Sequence, residues 1–176
     1  MRARRLWLIG LAVTVTAGCA STEKRLTAAD IAGAVVLETY TVDLGWNYRL
    51  AGMYIDGNGG VWAYEQRGTP WYPEKLKPAE LSERDMLTKH RGAKRIGTVD
   101  VQRLVEMAEL IPAAGRGRIT RAHPEREGSG RIDAAYRLDR EARTYTEIVL
   151  DGSGDLEATN SSGEARQSAS SAASRR

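Results

Sequence analysis

Alternating apolar and polar positions divide the first half of the chain into short segments of extended structure. Residues 34–42 (AVVLETYTV) are rich in β-branched side chains, and residues 48–56 and 61–67 flank the sequence DGNGG. β-branched and aromatic side chains favour strands, whereas Asp, Asn and Gly favour the tight turn of a hairpin. The pattern therefore predicts three strands, of which the second and third form a hairpin.

The periodicity changes to that of helices in the centre of the chain. Residues 81–92 predict a short helix with Ser82 as its N-cap and Asp85 at the third helical position. A second helix is expected between Thr98, as its cap, and Pro112, as its end. Its apolar side chains recur at helical spacing and should face a sheet: Val101, Leu104, Val105, Ala108 and Ile111.

Strand patterns return after residues 115–130, a segment rich in Arg and Gly. Residues 132–138 and 144–150 alternate between apolar and polar side chains, and DGSGD after them predicts a turn before a short last strand at 156–159. The resulting order βββααβββ predicts an α+β domain, in which about two helices pack on one face of an antiparallel sheet.

The first 18 residues have the organisation of an export signal. Residues 1–5 carry three arginines and no acid, residues 6–15 are almost entirely apolar, and small residues follow up to Cys19. A basic leader, an apolar run and a small-residue site in this order are typical of a cleaved signal peptide. The apolar stretch from Leu6 to Gly18 has 13 residues, whereas a membrane-spanning helix needs roughly 20. A permanent transmembrane helix is therefore not expected.

The end of this segment resembles the lipobox of bacterial lipoproteins. The matching residues are Thr16-Ala17-Gly18-Cys19, with Thr16 where leucine is usual. The resemblance implies cleavage before Cys19 by signal peptidase II, a diacylglycerol on its sulfur, and acylation of its new amino group, with palmitate among the expected chains. Two or three chains anchor a protein durably, since each buried methylene contributes about 0.8 kcal/mol. Because no Asp follows Cys19, the signal is similar to those of outer-membrane lipoproteins.

The N-terminus also allows two other interpretations. One is a simple secretory signal with an incidental cysteine at position 19. The other is a twin-arginine export signal, which Arg4-Arg5-Leu6-Trp7-Leu8 resembles. All three interpretations predict export.

Removal of the signal changes the charge of the chain. The full sequence has 26 basic and 23 acidic residues, and the signal contains Arg2, Arg4 and Arg5, so 23 of each sign remain. This balance disfavours nucleic-acid binding by bulk attraction to phosphates. With Cys19 lipidated, the body has no cysteine for a disulfide and must be stabilised by its core alone.

Composition also predicts the boundaries of the folded body. We expect a signal peptide at 1–18, a lipidated cysteine and flexible tether at 19–31, one α+β domain at 32–158 and a disordered tail at 159–176. The flanks lack the apolar side chains needed to offset the entropy lost on ordering. The order of elements in the body loosely resembles small domains of uncharacterised bacterial lipoproteins, which implies a fold and no activity.

The usual motifs of catalysis and metal binding do not occur in this sequence. DGNGG and DGSGD resemble the start of a calcium loop, but they lack glycine and glutamate at the sixth and twelfth positions. His90 is expected on a solvated helix end and His123 in a loop, and neither belongs to an HExxH pair. We predict no metal, no cofactor and no catalytic residue, although a site assembled from distant residues stays possible.

Aromatic and basic side chains supply the candidate binding residues. Seven aromatic residues lie from position 46 to position 72. Trp46, Trp71 and Tyr72 are the candidates for contact with a partner, since aromatic rings stack on sugars and anchor protein interfaces. Trp62 and Tyr64 are expected mainly in the core, because the chain has no Phe. Basic residues at 89–95 and 116–131 are expected in solvated segments, with anionic lipids or wall polymers as the alternative partners.

These features together favour a lipid-anchored protein of the cell envelope. The expected location is the outer membrane, facing the periplasm. The expected role is a non-catalytic binding or accessory module for an envelope protein or a wall polymer. The alternatives are an envelope hydrolase with a site assembled from distant residues, and a small-ligand carrier.

Overall fold

One antiparallel sheet organises the part of the chain that the structure describes. The computed structural model describes residues 25–43, 48–68, 80–122 and 128–167. Nine strands lie within these ranges: β1 (Val35–Asp43), β2 (Arg49–Asp56), β3 (Gly60–Arg67), β4 (Glu80–Ser82), β5 (Lys94–Thr98), β6 (Ile119–Arg121), β7 (Ser129–Asp139), β8 (Thr144–Gly154) and β9 (Ala158–Asn160). Their order across the sheet is β5-β3-β2-β1-β7-β8-β9-β6, and β4 also pairs with β8.

The predicted hairpin is present between β2 and β3. The side chain of Asp56 holds its turn, because Oδ1 accepts hydrogen bonds from the backbone amides of Asn58 and Gly60, each at 2.9 Å. Gly59 has a φ of +79°, a conformation that favours glycine. The sequence DGNGG is therefore a structural turn, as the hairpin interpretation predicted.

Four short helices precede β6 and cover both faces of the sheet, and residues 163–167 are also helical. The four are α1 (Ala28–Ile31), α2 (Glu83–Lys89), α3 (Val101–Ala108) and α4 (Ile111–Ala114). α1, α3 and α4 contribute Ile31, Leu104 and Ile111 to one apolar cluster, whereas α2 contributes Met86 to the other. The fold is of the α+β type, but the predicted order βββααβββ, the count of two helices and their placement on one face were wrong.

Because β1 is buried on both faces, a layer of helices on one face of the sheet could not shield it from solvent. A register shift between Val35 and Leu37 places Val36 and Leu37 in the cluster of α3, while Tyr40 and Val42 belong to the cluster of α2. A central strand that is apolar on both faces needs cover on both sides. Local periodicity in the helices does not reveal which face each helix covers.

Four strand assignments differ from the sequence interpretation, and the first is β4, which lies directly before α2 where no strand was predicted. β5 follows α2 directly and is exposed along its length, so its five residues carry no pattern of alternation. β6 lies within the segment rich in Arg and Gly. DGSGD is not a turn, because β8 continues to Gly154 before the chain reverses. At Gly152, a Cβ atom would lie 2.5 Å from the carbonyl oxygen of Leu156, so this glycine permits a close approach of the backbone.

The predicted N-cap of α2 is confirmed, although the helix ends at Lys89 and not at residue 92, and both ends of α3 differ from the prediction. Ser82 caps α2 together with Asp85 in a reciprocal capping box. The N-cap of α3 is Asp100, whose Oδ1 accepts a hydrogen bond of 2.8 Å from the backbone amide of Arg103, and Thr98 instead ends β5. Pro112 does not stop α3, which ends at Ala108; it lies in the first turn of α4, where its missing amide is not needed.

Ordered packing extends beyond residues 32–158. Leu26 and Ile31 pack in the cluster of α3, although they fall in the segment expected to act as a tether. At the other end, Asn160 and Ala165 are buried, although they belong to the segment expected to form a tail. A few apolar side chains from these mostly polar segments therefore complete the cluster of α3. Residues 168–176 lie outside the described ranges.

Candidate functional site

All four side chains predicted to be functional lie outside the described residues: Cys19, Trp46, Trp71 and Tyr72. His123, which was expected in a loop, also lies outside them. Tyr64 is buried at 5 % exposure, in agreement with the expected core position. His90 and Lys89 are buried, so the expectation of a solvated helix end was wrong for both.

A buried polar cluster centred on Glu38 lies between the sheet and α2. Nζ of Lys89 is 2.7 Å from Glu38 Oε2, and Nε2 of His90 is 3.0 Å from Oε1. The hydroxyl of Tyr64 donates to Oε1 and that of Tyr136 to Oε2. The side chains of Glu38 and Lys89 are 0 % and 1 % exposed. Each carboxylate oxygen thus has two donors, and we call these residues, with Tyr40 and Glu147, the Glu38 cluster.

Glu147 on β8 is the second carboxylate of the cluster. Its Oε1 accepts a hydrogen bond of 3.1 Å from Tyr40 and lies 3.0 Å from the Tyr136 hydroxyl. Nζ of Lys89 lies 3.8 Å from the same oxygen and 3.9 Å from the centroid of the Tyr40 ring. The ammonium group is therefore surrounded by two carboxylates and an aromatic face, which offsets the cost of burying its charge.

The end of α2 places Lys89 and His90 over Glu38. Lys89 is the last residue of the helix and His90 its C-cap. The amide nitrogen of Gln66 on β3 donates to the backbone carbonyls of Thr88 and Lys89, at 2.5 and 2.6 Å. Carbonyls of the last helical turn lack their usual amide partners four residues on, so Gln66 both caps α2 and fixes it to the sheet. The carbonyl of Thr88 also accepts a hydrogen bond of 3.3 Å from the backbone amide of Arg91.

Charge stabilises Glu38 against the effect of burial. Burial would raise the pKa of this carboxyl group, but the ammonium of Lys89 and the hydrogen bond from His90 lower it from 4.5 to about 2. Glu38 is therefore ionised near neutral pH. Because an ionised carboxylate only accepts hydrogen bonds, Nε2 of His90 carries a proton.

Tyr64 and Tyr136 retain their hydroxyl protons near neutral pH. Burial, together with the nearby charges of Glu38 and Glu147, raises the pKa of both Tyr64 and Tyr136 well above 10. A general base works best when its pKa lies near the operating pH, and Glu38 at about 2 is far below that range. The arrangement is suited to fixing α2 on the sheet and is unsuited to proton transfer.

Aromatic rings continue outward from His90 along the same face of the sheet. The His90 ring lies 4.2 Å from the ring centroid of Tyr54, and Tyr54 is nearly parallel to Trp62 at 6.2 Å. Trp62 donates its indole N–H to Oδ2 of Asp56 at 2.7 Å. A Cβ atom at Gly60 would lie 2.7 Å from that indole nitrogen, so the glycine makes room for this bond. Trp62 therefore reinforces the hairpin turn.

Two described residues next to the predicted binding segments, Tyr48 and Gly68, are hydrogen-bonded to each other. The backbone amide of Gly68 donates to the carbonyl of Tyr48 at 3.1 Å. Residues 44–47, which include Trp46, directly precede Tyr48 in the sequence. Residues 69–79, which include Trp71 and Tyr72, directly follow Gly68. Asp43 pairs with Arg49 beside them. We call Asp43, Tyr48 and Gly68 the aromatic corner, since these described residues adjoin the two segments in sequence.

The Glu38 cluster is the feature that sequence reasoning missed. One signal was available: a glutamate in the middle of the apolar run AVVLETYTV, where alternation places it beside Tyr40 and Val42. A buried acid needs a buried partner. Its partners are far away in sequence, at positions 64, 89, 90 and 136, and no local pattern connects them.

Metal binding and similarity to other proteins give no further assignment. Among the described residues, no group of three or more His, Cys, Asp or Glu side chains is arranged to hold a metal ion. In the same residues, no helix has the length and apolar character needed to span a membrane. No protein-family model matches the chain, and no curated protein or solved structure is significantly similar to it.

Proposed function

We propose that this chain is a lipid-anchored protein of the cell envelope whose domain acts as a non-catalytic binding or accessory module. The observation that carries the proposal is the sequence Thr16-Ala17-Gly18-Cys19 after a short apolar run. The lipid is attached to Cys19 and holds the domain at the outer membrane, on its periplasmic side. The partner is an envelope protein or a wall polymer.

The aromatic corner supports the binding part of the proposal. Trp46 lies two residues before Tyr48, and Trp71 three residues after Gly68, and these two flanking residues are hydrogen-bonded. Chain connectivity therefore ties both aromatic segments to one corner of the sheet. Aromatic side chains are typical anchors of protein interfaces and of sugar binding.

A hydrolase is the second candidate, and one observation favours it. Glu38 and His90 form a buried carboxylate–histidine pair assembled from distant positions, as the alternative interpretation of the sequence required. However, both oxygens of Glu38 are occupied, its pKa is about 2, and its side chain is fully buried. These properties match a structural ion pair, and we therefore favour the binding module.

Metabolic labelling tests the anchor. We expect radiolabelled palmitate on the wild-type protein in its native host and none on Cys19→Ser. The variant should also leave the membrane fraction. Equal retention of both proteins in that fraction would contradict the proposal.

Crosslinking in intact cells tests the binding role. Trp71→Ala should lower the yield of the crosslinked complex, because it removes an aromatic anchor. Leu87→Ala is the matched control, since Leu87 on α2 is an apolar side chain with 75 % exposure outside the predicted site. A yield that is unchanged by Trp71→Ala would remove this segment from the proposed interface.

A further inference from the structure

The folded domain begins only a few residues after the proposed lipid anchor. Leu26 already packs in the cluster of α3, and Nε of Arg25 lies 3.4 Å from Oε1 of Glu109. Seven residue steps separate Cys19 from Leu26, that is 26 − 19. Such a tether spans at most about 25 Å when fully extended, and roughly 15 Å as a flexible chain.

The position of α1 fixes which end of the domain the tether reaches. The amide of Ala34 donates to the carbonyl of Ile31 at 3.1 Å, so α1 adjoins the start of β1. Arg140, in the turn between β7 and β8, donates to the carbonyls of Asp30 and Ala32 at 3.0 and 2.9 Å. We call α1, the start of β1 and this turn the anchor end of the domain.

The aromatic corner lies at the opposite end of the sheet. β1 runs from Val35 at the anchor end to Asp43 at the corner, and it has nine residues. Eight steps of about 3.3 Å give the strand a length of roughly 26 Å.

These lengths restrict the orientation of the domain on the membrane. An inverted domain, with the corner against the bilayer, would hold α1 at least one strand length above the lipid. A fully extended chain of seven residue steps only equals that length, and a random coil of the same number of residues would span less. We infer that the bilayer surface faces the anchor end and that the aromatic corner points away from it. The inference rests on the proposed lipidation of Cys19, and it names the membrane as the surface that lies against α1 and the β7–β8 turn.

Energy transfer to lipid acceptors tests the orientation. The lipidated full chain, with one introduced cysteine, would be labelled with a donor and reconstituted in phosphatidylethanolamine–phosphatidylglycerol vesicles that carry a headgroup acceptor. Glu141→Cys labels an exposed position in the β7–β8 turn, and Arg67→Cys labels an exposed position at the end of β3 beside the corner. We expect a higher transfer efficiency from position 141 than from position 67.

A longer tether is the control for this measurement. Insertion of about 20 Gly and Ser residues after Thr22 roughly doubles the root-mean-square reach of the tether. The difference between positions 141 and 67 should then be lost. Equal or reversed efficiencies in the protein without the insertion would overturn the orientation alone, because binding to the vesicles would still show the anchor. Absence of palmitate on Cys19 would overturn the anchor and the orientation together.

Discussion

Glu38 shows how burial and charge act on one side chain in opposite directions. Removal from water disfavours the ionised carboxylate, and Lys89 and His90 restore it through charge and hydrogen bonds. Because the ammonium of Lys89 and the carboxylate of Glu38 are both buried, the loss of either group would leave the charge of the other uncompensated. Even a substitution of equal size at position 38 should therefore lower the free energy of unfolding considerably.

Glu38→Gln should therefore destabilise the domain strongly. The substitution keeps the shape of the side chain and leaves the Lys89 ammonium buried without its main counter-ion. We expect the free energy of unfolding to fall by about 3–5 kcal/mol in urea denaturation at pH 7. The control Glu65→Gln removes an exposed carboxylate that pairs with Arg49 and Arg67, and its effect should be much smaller. Similar losses in the two variants would contradict the role of Glu38.

The same residue predicts how stability depends on pH. The pKa of Glu38 is lower in the folded state, about 2 against an ordinary value of 4.5. Its contribution to stability is therefore fully present above about pH 4.5, and it is lost as the pH falls from there towards 2. The shift corresponds to about 3 kcal/mol.

Urea denaturation at a series of pH values checks this dependence. The wild type should lose its stability advantage over Glu38→Gln as the pH falls below 4.5. The comparison with the variant cancels the titration of the other carboxylates. Parallel curves for the two proteins over this range would show that Glu38 is not the group responsible.

The α2 and α3 helices are stabilised by contacts at their ends as well as by their apolar faces. Both helices have fewer than nine residues, a length at which isolated helices are unstable in water. The capping box of Ser82 and Asp85 could be predicted for α2, because all of its residues are local. For α3 the sequence predicted Thr98 as the cap, but β5 continues to Thr98 and the N-cap is Asp100.

Asp100→Ala should cost about 1 kcal/mol of stability, because the backbone amide of Arg103 loses its acceptor. Thr98→Ala is the matched control at the cap that the sequence predicted, and it should change the free energy of unfolding by less than about 0.5 kcal/mol. Urea denaturation of both variants gives the measurement. A larger loss for Thr98→Ala than for Asp100→Ala would contradict the observed helix start.

In the part of the chain that the structure describes, two apolar cores share the same strands. Val42 and Leu50 belong to the core beneath α2, and Leu104 and Ala135 to the core beneath α3. Since β1 and β7 contribute side chains to both, neither core can be lost without exposing the other. This sharing predicts a single cooperative unfolding transition.

Leu50→Ala and Leu104→Ala test the coupling of the two cores. Both leucines are almost completely buried, so each substitution should lower the free energy of unfolding by about 2–5 kcal/mol. In both variants, tryptophan fluorescence and far-ultraviolet circular dichroism should give the same midpoint. Separate midpoints in either variant would show that the cores unfold independently.

Local patterns were sufficient where both partners of an interaction are close in sequence. The β2–β3 hairpin, the capping box of α2 and the apolar face of α3 follow from turn residues, cap residues and helical spacing. The proposed lipid anchor is likewise carried by adjacent residues ending at Cys19. Each of these features depends on a few neighbouring residues, so the order of amino acids alone specifies it.

Packing decided the features whose partners are distant. The charge of Glu38 is compensated by residues 51 and 52 positions away, and α2 lies on the opposite face of the sheet from α3 because β1 is buried on both sides. The exposed strand β5 exists because β3 offers it hydrogen-bonding groups, and its own side chains give no signal. Backbone pairing and burial join residues that are far apart along the chain, and local periodicity contains no information on such pairs.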